Sequence, residues 1–160
     1  MIKIQIPATS ANLGAGFDAL GLALTYYNYI EMEECDKIDI TAADGLDIPT
    51  DERNLIYISA KDLFAVCGKK LEGLRLIQTS NIPMARGLGS SSACIIAGLV
   101  GANKMLGDPL TKDDLVDLAA QIEGHPDNTA PSLIQRFYDA TAGTVLVDGL
   151  DVREYTFDAL

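Results

Sequence analysis

Pro83-Met84-Ala85-Arg86-Gly87-Leu88-Gly89-Ser90-Ser91-Ser92-Ala93 lies between an apolar strand pattern, Leu74 to Gln78, and an apolar helical run from about Ser90 to Leu106. Gly87 and Gly89 permit a positive φ and let the backbone approach a ligand with no Cβ in the way. Three serines then open the helix, so free backbone N–H groups and the positive end of the helix dipole face the loop. These residues fit two roles. One is a phosphate cradle, with hydroxyls for a phosphate oxygen or a metal. The other is a plain strand-to-helix turn, with Gly for geometry and Ser as N-cap. The segment lacks the Gly-Lys-Ser/Thr of a Walker A loop and the third glycine of a GxGxxG dinucleotide turn.

Upstream, Ile2, Ile4 and Ile6 alternate with polar residues, the period of a strand with one buried face. Ser10 to Asp18 reads as a Gly-containing turn, followed by an apolar run from Leu20 to Leu24. Tyr27 to Met32 and Lys37 to Thr41 read as strands parted by the acidic turn Glu33-Glu34-Cys35-Asp36. Asn54 is placed to cap a helix running to about Val66. Thr111 with Asp114 opens another, whose Leu115, Leu118, Ala119 and Ile122 have the spacing of one buried stripe. Strands early, then helices between strands, predict an α+β domain.

The formal charge of −11 argues against a nucleic-acid partner, which needs clustered Lys and Arg. No stretch nears the roughly 18 unbroken apolar residues of a membrane span, and the start, Met1-Ile2-Lys3-Ile4, has no signal-peptide layout. Cys35, Cys67 and Cys94 are widely spaced, so reduced thiols in a cytoplasmic protein are expected, without a zinc site.

Two further blocks flank the glycine loop. Pro7-Ala8-Thr9-Ser10-Ala11-Asn12-Leu13-Gly14 with Gly16-Phe17-Asp18 and Leu20-Gly21 is similar to the opening motif of homoserine kinases. Glu123-Gly124-His125-Pro126-Asp127-Asn128, with Ala130-Pro131, resembles their third block, and the glycine loop resembles the phosphate loop of the wider GHMP kinase superfamily. Order and spacing agree over about residues 1–132. The resemblance implies an ATP-dependent kinase of L-homoserine with Mg²⁺ as cofactor, on a ribosomal-protein-S5-like α+β domain. Pro83, Met84, Ala85, Arg86, Gly87, Leu88, Gly89, Ser90, Ser91, Ser92 and Ala93 would wrap the nucleotide phosphates. Ser90 and Glu123 would serve the metal; Asn12, Asp18 and Asn128 would contact homoserine. Asn128 and Asp127 are the residues nearest to catalysis, Asp127 chiefly as support for the Asn128 loop. His125 fits a structural hydrogen bonder better than a base. Taken alone, Asn12 also fits a left-handed turn, Asp18 a helix cap, and Glu123 a solvated carboxylate near a helix C-terminus. The resemblance allows a homodimer for the intact family. It also implies a C-terminal domain beyond this chain, so self-association of the chain itself is expected.

From about residue 133 the pattern changes. Arg136-Phe137-Tyr138-Asp139, Thr141-Ala142-Gly143 and Val145-Leu146-Val147-Asp148-Gly149, running on to Leu160, are similar to a stretch of the ATP-binding cassette of ABC exporters, without its Walker motifs. The expected division is therefore a GHMP kinase N-terminal ATP-binding domain at 1–132 and a cassette-like fragment at 133–160. In the latter, Thr144 to Val147 is predicted as a strand, Asp148-Gly149 as a tight turn, and Tyr155 onward as the start of a helix.

Overall fold

The computed structural model describes residues 1–134, 146–147 and 150–151; at 12, 13, 16–19, 134, 146–147 and 150–151 it describes the backbone alone. The elements in chain order are β1 (Ile2–Leu13), β2 (Gly16–Cys35), β3 (Ile38–Ala42), α1 (Leu55–Val66), β4 (Gly73–Thr79), α2 (Ser90–Met105), α3 (Lys112–Glu123) and α4 (Thr129–Ile134). The sheet order is β1-β2-β4-β3, antiparallel except for β3 beside β4. That parallel pair needs a crossover, which α1 supplies. The α+β class read from the order of elements holds.

Period-two patterning decides which side of the sheet is covered. Ile4, Ile6 and Ala8 of β1, Ile30 and Met32 of β2, and Leu74 and Leu76 of β4 are buried together. The register sets Ile4 opposite Ile30 and Met32 opposite Leu76, so they form one apolar face. The other face carries ion pairs in place of a core: Lys3 with Glu31 at 3.0 Å, and Arg75 with Glu33 at 2.9 Å and Asp39 at 3.2 Å. Pairs this exposed add little stability.

Helix α2 is the centre of the domain. It packs against α1, β1, β2, α3 and α4, and its buried residues run round nearly its whole girth. Small residues make this closeness feasible. A Cβ on Gly98 would lie 2.4 Å from the Ile56 carbonyl oxygen, and one on Gly101 would lie 2.0 Å from Met32 Sδ. The flanking helices start where the sequence places them. Asn54 accepts from the N–H groups of Ile56 (2.9 Å) and Tyr57 (3.4 Å). At α3, Thr111 and Asp114 close a reciprocal capping box.

The structure corrects several expectations. Ser10 to Asp18 is not a turn: β1 continues to Leu13, β2 starts at Gly16, and only Gly14 and Ala15 lie between. The φ of Gly14 is +54°, as the first residue of a two-residue hairpin loop often requires. Cross-strand pairing, such as Ser10 with Leu22 and Ala11 with Gly21, overrides the turn-like composition. Asn12 and Asp18 therefore stand in strands, which removes the turn and helix-cap roles that each also fitted. The separate strand at Tyr27 to Met32 is one part of the 20-residue β2. Ser90 does not cap α2; Gly89 does, in the left-handed region, with no side-chain cap bond. The turn at His125 to Asn128 runs into α4, which the sequence pattern did not reveal. Farther on, Leu146–Val147 (β5) pairs antiparallel with Leu150–Asp151 (β6), within the predicted strand-turn region. The predicted turn at Asp148-Gly149 and the helix from Tyr155 lie outside the described residues.

Candidate active site

The glycine loop is held at both ends. At its entrance, Ile82 N–H donates to the buried Asn28 Oδ1 (2.8 Å), and Asn81 Nδ2 donates to the Tyr27 carbonyl (2.8 Å), which fastens the exit of β4 to β2. Ala85, Gly87 and Gly89 then take positive φ values of 55°, 70° and 64°. At its far end, Ala93 N–H donates to the Gly89 carbonyl at 2.9 Å, the first bond of α2. The N–H groups of Ser90, Ser91 and Ser92 precede that bond and so have no partner inside the helix. They lie at the positive end of the helix dipole, the arrangement that attracts a phosphate.

Thr9 ties the three sequence blocks together. It has no exposed surface. Its N–H donates to the Leu88 carbonyl (3.1 Å), and its hydroxyl donates to Asn128 Oδ1 (3.1 Å). A Cβ on Gly89 would fall 2.0 Å from Thr9 Oγ1, so only glycine fits where the loop crosses β1. The first and third blocks also touch at Gly21, where a Cβ would meet Pro131 Cγ at 2.3 Å. Ser132 adds a long bond from its hydroxyl to the Pro7 carbonyl (3.5 Å).

The carboxylate of Glu123 reaches the start of α2 from the end of α3. Ser92 Oγ lies 2.6 and 2.7 Å from its two oxygens, so one hydroxyl proton is shared between them. Ser90 has no such bond to Glu123; with Ser91 it lines a neighbouring cavity of about 300 Å³. Asp127 lies beside Asn128, with His125 Nδ1 3.9 Å from its Oδ2, beyond hydrogen-bonding range. His125 is exposed, and the hydrogen-bonding role given to it is not observed. Arg86 and Met84 are exposed at the loop. Asn12 and Asp18 sit on either side of the Gly14 loop in β1 and β2; their side chains lie outside the described residues. Sequence reasoning missed Thr9 as the organiser and Ser92 as the Glu123 partner. Both residues stood inside quoted motifs, but nothing local signals a bond between positions 9 and 128.

Among the described residues no group of three or more His, Cys, Asp or Glu is placed to hold a metal. A lone Glu123 suits Mg²⁺, which commonly binds through one or two carboxylates, phosphate oxygens and water. Ile48, Pro49, Leu55 and Met84 line the cavity together with Ser90 and Ser91. Cys94 also faces it, and burial pushes its thiol up to about 11, so it stays protonated and is no nucleophile at neutral pH.

The family described as GHMP kinases N terminal domain matches residues 54–136, just over half of the chain. The chain belongs to the GHMP kinases. The matched segment takes in α1, the glycine loop, α2, α3 and α4. A homoserine kinase of Petrotoga mobilis is 48% identical over 137 residues, covering 84% of this chain and 45% of that protein. A homoserine kinase of Carboxydothermus hydrogenoformans is 46% identical over 154 residues, covering 94% of this chain and 48% of that protein. Among solved structures, a putative homoserine kinase from Listeria monocytogenes superposes with a TM-score of 0.70 at 45% identity, covering 81% of this chain and 46% of that one. The chain thus spans about half the length of the curated relatives it matches. None of these matches carries a likeness to an exporter.

Proposed function

We propose that this GHMP kinase chain provides the nucleotide side of a homoserine kinase, which transfers the γ-phosphoryl group of ATP to the hydroxyl of L-homoserine. The convergence of all three motif blocks on Thr9 carries the proposal, and the relatives named homoserine kinase supply the substrate. In the reaction the homoserine oxygen forms a bond to the γ-phosphorus while the bond to the β–γ bridging oxygen breaks. ADP and O-phospho-L-homoserine result, on the way to threonine. The loop from Pro83 to Ala93 holds the phosphates, and its N–H groups neutralise charge without a covalent role. Mg²⁺, when bound, would offset phosphate charge, held by Glu123 and by Ser90 or Ser92. Asn128, fixed through Oδ1 by Thr9, would offer its amide N–H to homoserine, and Asp127 would support that loop; Asn12 and Asp18 are the other two residues assigned to homoserine by the resemblance. No strong side-chain base is required, since the proton leaves with or after a loose transfer.

The alternatives are nucleotide binding without turnover and transfer to another small alcohol; the glycine loop and the unpaired N–H groups of Ser90 to Ser92 serve each of them equally. The domain division near residues 131–135, the exporter likeness of the tail, a cytoplasmic location and self-association belong to the same proposal. Among the described residues no helix is long and apolar enough to cross a membrane.

The test is a calorimetric titration of the chain with a non-hydrolysable ATP analogue and Mg²⁺, repeated on Ser90→Ala. Binding that weakens at least about tenfold in the variant supports the phosphate loop. Folded chain that binds nothing refutes it. ADP release that depends on homoserine separates the kinase from the binding-only role.

A further inference from the structure

Ser80, Asn81 and Ile82 carry the chain from the end of β4 to Pro83, and each is bonded to a neighbouring segment. Asn81 and Ile82 are tied to β2, through the Tyr27 carbonyl and the buried Asn28. Ser80 is tied to the β3 side: its N–H donates to Oδ2 of Asp44, just past the end of that strand. The other oxygen, Oδ1, accepts from the Leu46 N–H at 3.0 Å. An aspartate that closes a turn on its own backbone needs only this second bond. The first joins residues 36 positions apart, and no local turn calls for it. Ala43 N–H donates to the Gln78 carbonyl at 2.9 Å, so the pairing of β3 with β4 continues up to the carboxylate. The Ser80 N–H foremost, and then the Leu46 N–H, hold the Asp44 carboxyl below its usual value of 3.8, so both oxygens are acceptors at neutral pH.

The two anchors of this exit differ in kind. Asn28 is buried, whereas Asp44 is exposed. An exposed carboxylate adds little to global stability. The placement of Ser80 nevertheless decides where Pro83 to Gly89 sets out. Ile48 and Pro49, shortly after Leu46, line the same cavity as Met84, Ser90 and Ser91. Asp44 thus joins two of the stretches of chain that line it. We infer that Asp44 is a positioning residue for the phosphate loop: by fixing Ser80 against the end of β3, it aims the N–H groups from Gly87 to Ser92 at a bound phosphate. The inference rests on the nucleotide proposal for what the loop holds, and adds the carboxylate that sets the loop's course.

The experiment records backbone amide NMR signals and titrates a non-hydrolysable ATP analogue with Mg²⁺, on the full chain and on its Asp44→Ala and Asp44→Asn variants. In Asp44→Ala the amide signals of Gly87, Gly89 and Ser90 are expected to move, and the analogue to bind about fivefold more weakly. That is less than one well-buried hydrogen bond would give, because Asp44 is exposed. The melting midpoint should stay within about 3 °C of the parent. Asp44→Asn keeps one acceptor in the same shape and should recover part of the affinity. An affinity that holds in Asp44→Ala overturns the inference, whatever the loop signals do, and leaves the nucleotide proposal standing. A loss of affinity accompanied by shifted signals throughout α1 and α2 overturns it too, since the residue would then serve the fold and not the loop. No binding by the unaltered chain refutes the nucleotide proposal and the inference with it.

Discussion

Gly89 is the residue at which a single methyl group does the most damage. Its φ of +64° costs an L-residue about 1–2 kcal/mol. The added Cβ would also press on Thr9 Oγ1, whose hydroxyl is bound to Asn128. Gly89→Ala is therefore expected to lower stability by more than about 2 kcal/mol and to displace Asn128 as well. Denaturant unfolding followed beside nucleotide titration checks this; an unchanged midpoint would refute the contact. Gly89 was legible from sequence as a glycine needed for backbone freedom. The identity of what presses on it was not, because 80 residues separate it from Thr9 and no local pattern encodes that meeting. Ser92 illustrates the same limit: a serine in a helix's first turn reads as a possible ligand, whereas its burial against Glu123 depends on where α3 ends.

At the scale of elements, local chemistry was the legible part. Asn54 and Thr111 mark helix starts because a short side chain reaches N–H groups two or three residues ahead, a distance fixed by the helix itself. Thr111→Ala should cost about 1 kcal/mol of stability, read as a fall in the thermal midpoint. The Thr111 hydroxyl and N–H together hold the Asp114 carboxyl below its usual value of 3.8. Its contribution is thus complete above pH 3.8 and fades as pH falls through the lowered value in the fold. The difference between parent and variant should shrink in that acid range, and a constant difference would count against the box. Two elements escaped the sequence. The hairpin of β1 and β2 was obscured by turn-like Gly, Ser and Asn. Helix α4 has six residues and carries Pro131 in its first turn, where the missing N–H does no harm but the residue reads as a stop.

For the whole molecule, the balance lies between charge and exposed apolar surface. Leu20, Leu22 and Tyr26 of β2 are 59%, 50% and 46% exposed, a cluster beyond the main core. The net charge of −11 opposes association, and salt screens that repulsion. Self-association is expected to grow with concentration and with salt in light scattering after size exclusion, and Leu22→Glu is expected to reduce it. A monomer at every salt concentration would refute it. The covered face and the α+β class followed from patterning that each strand carries alone. Sheet order did not, since it depends on how α1 crosses from β3 to β4.

The near-complete burial of α2 has a consequence for how the molecule breathes. Its interior amides can exchange with solvent only when the helices and strands around it separate, so they should report the opening of the whole domain. On the proposed function, a phosphate held at Gly87 to Ser92 would grip the end of that same helix. Its binding free energy therefore adds to the cost of global opening, and the slowest-exchanging amides in the chain, not merely those of the loop, become slower still when the nucleotide is bound.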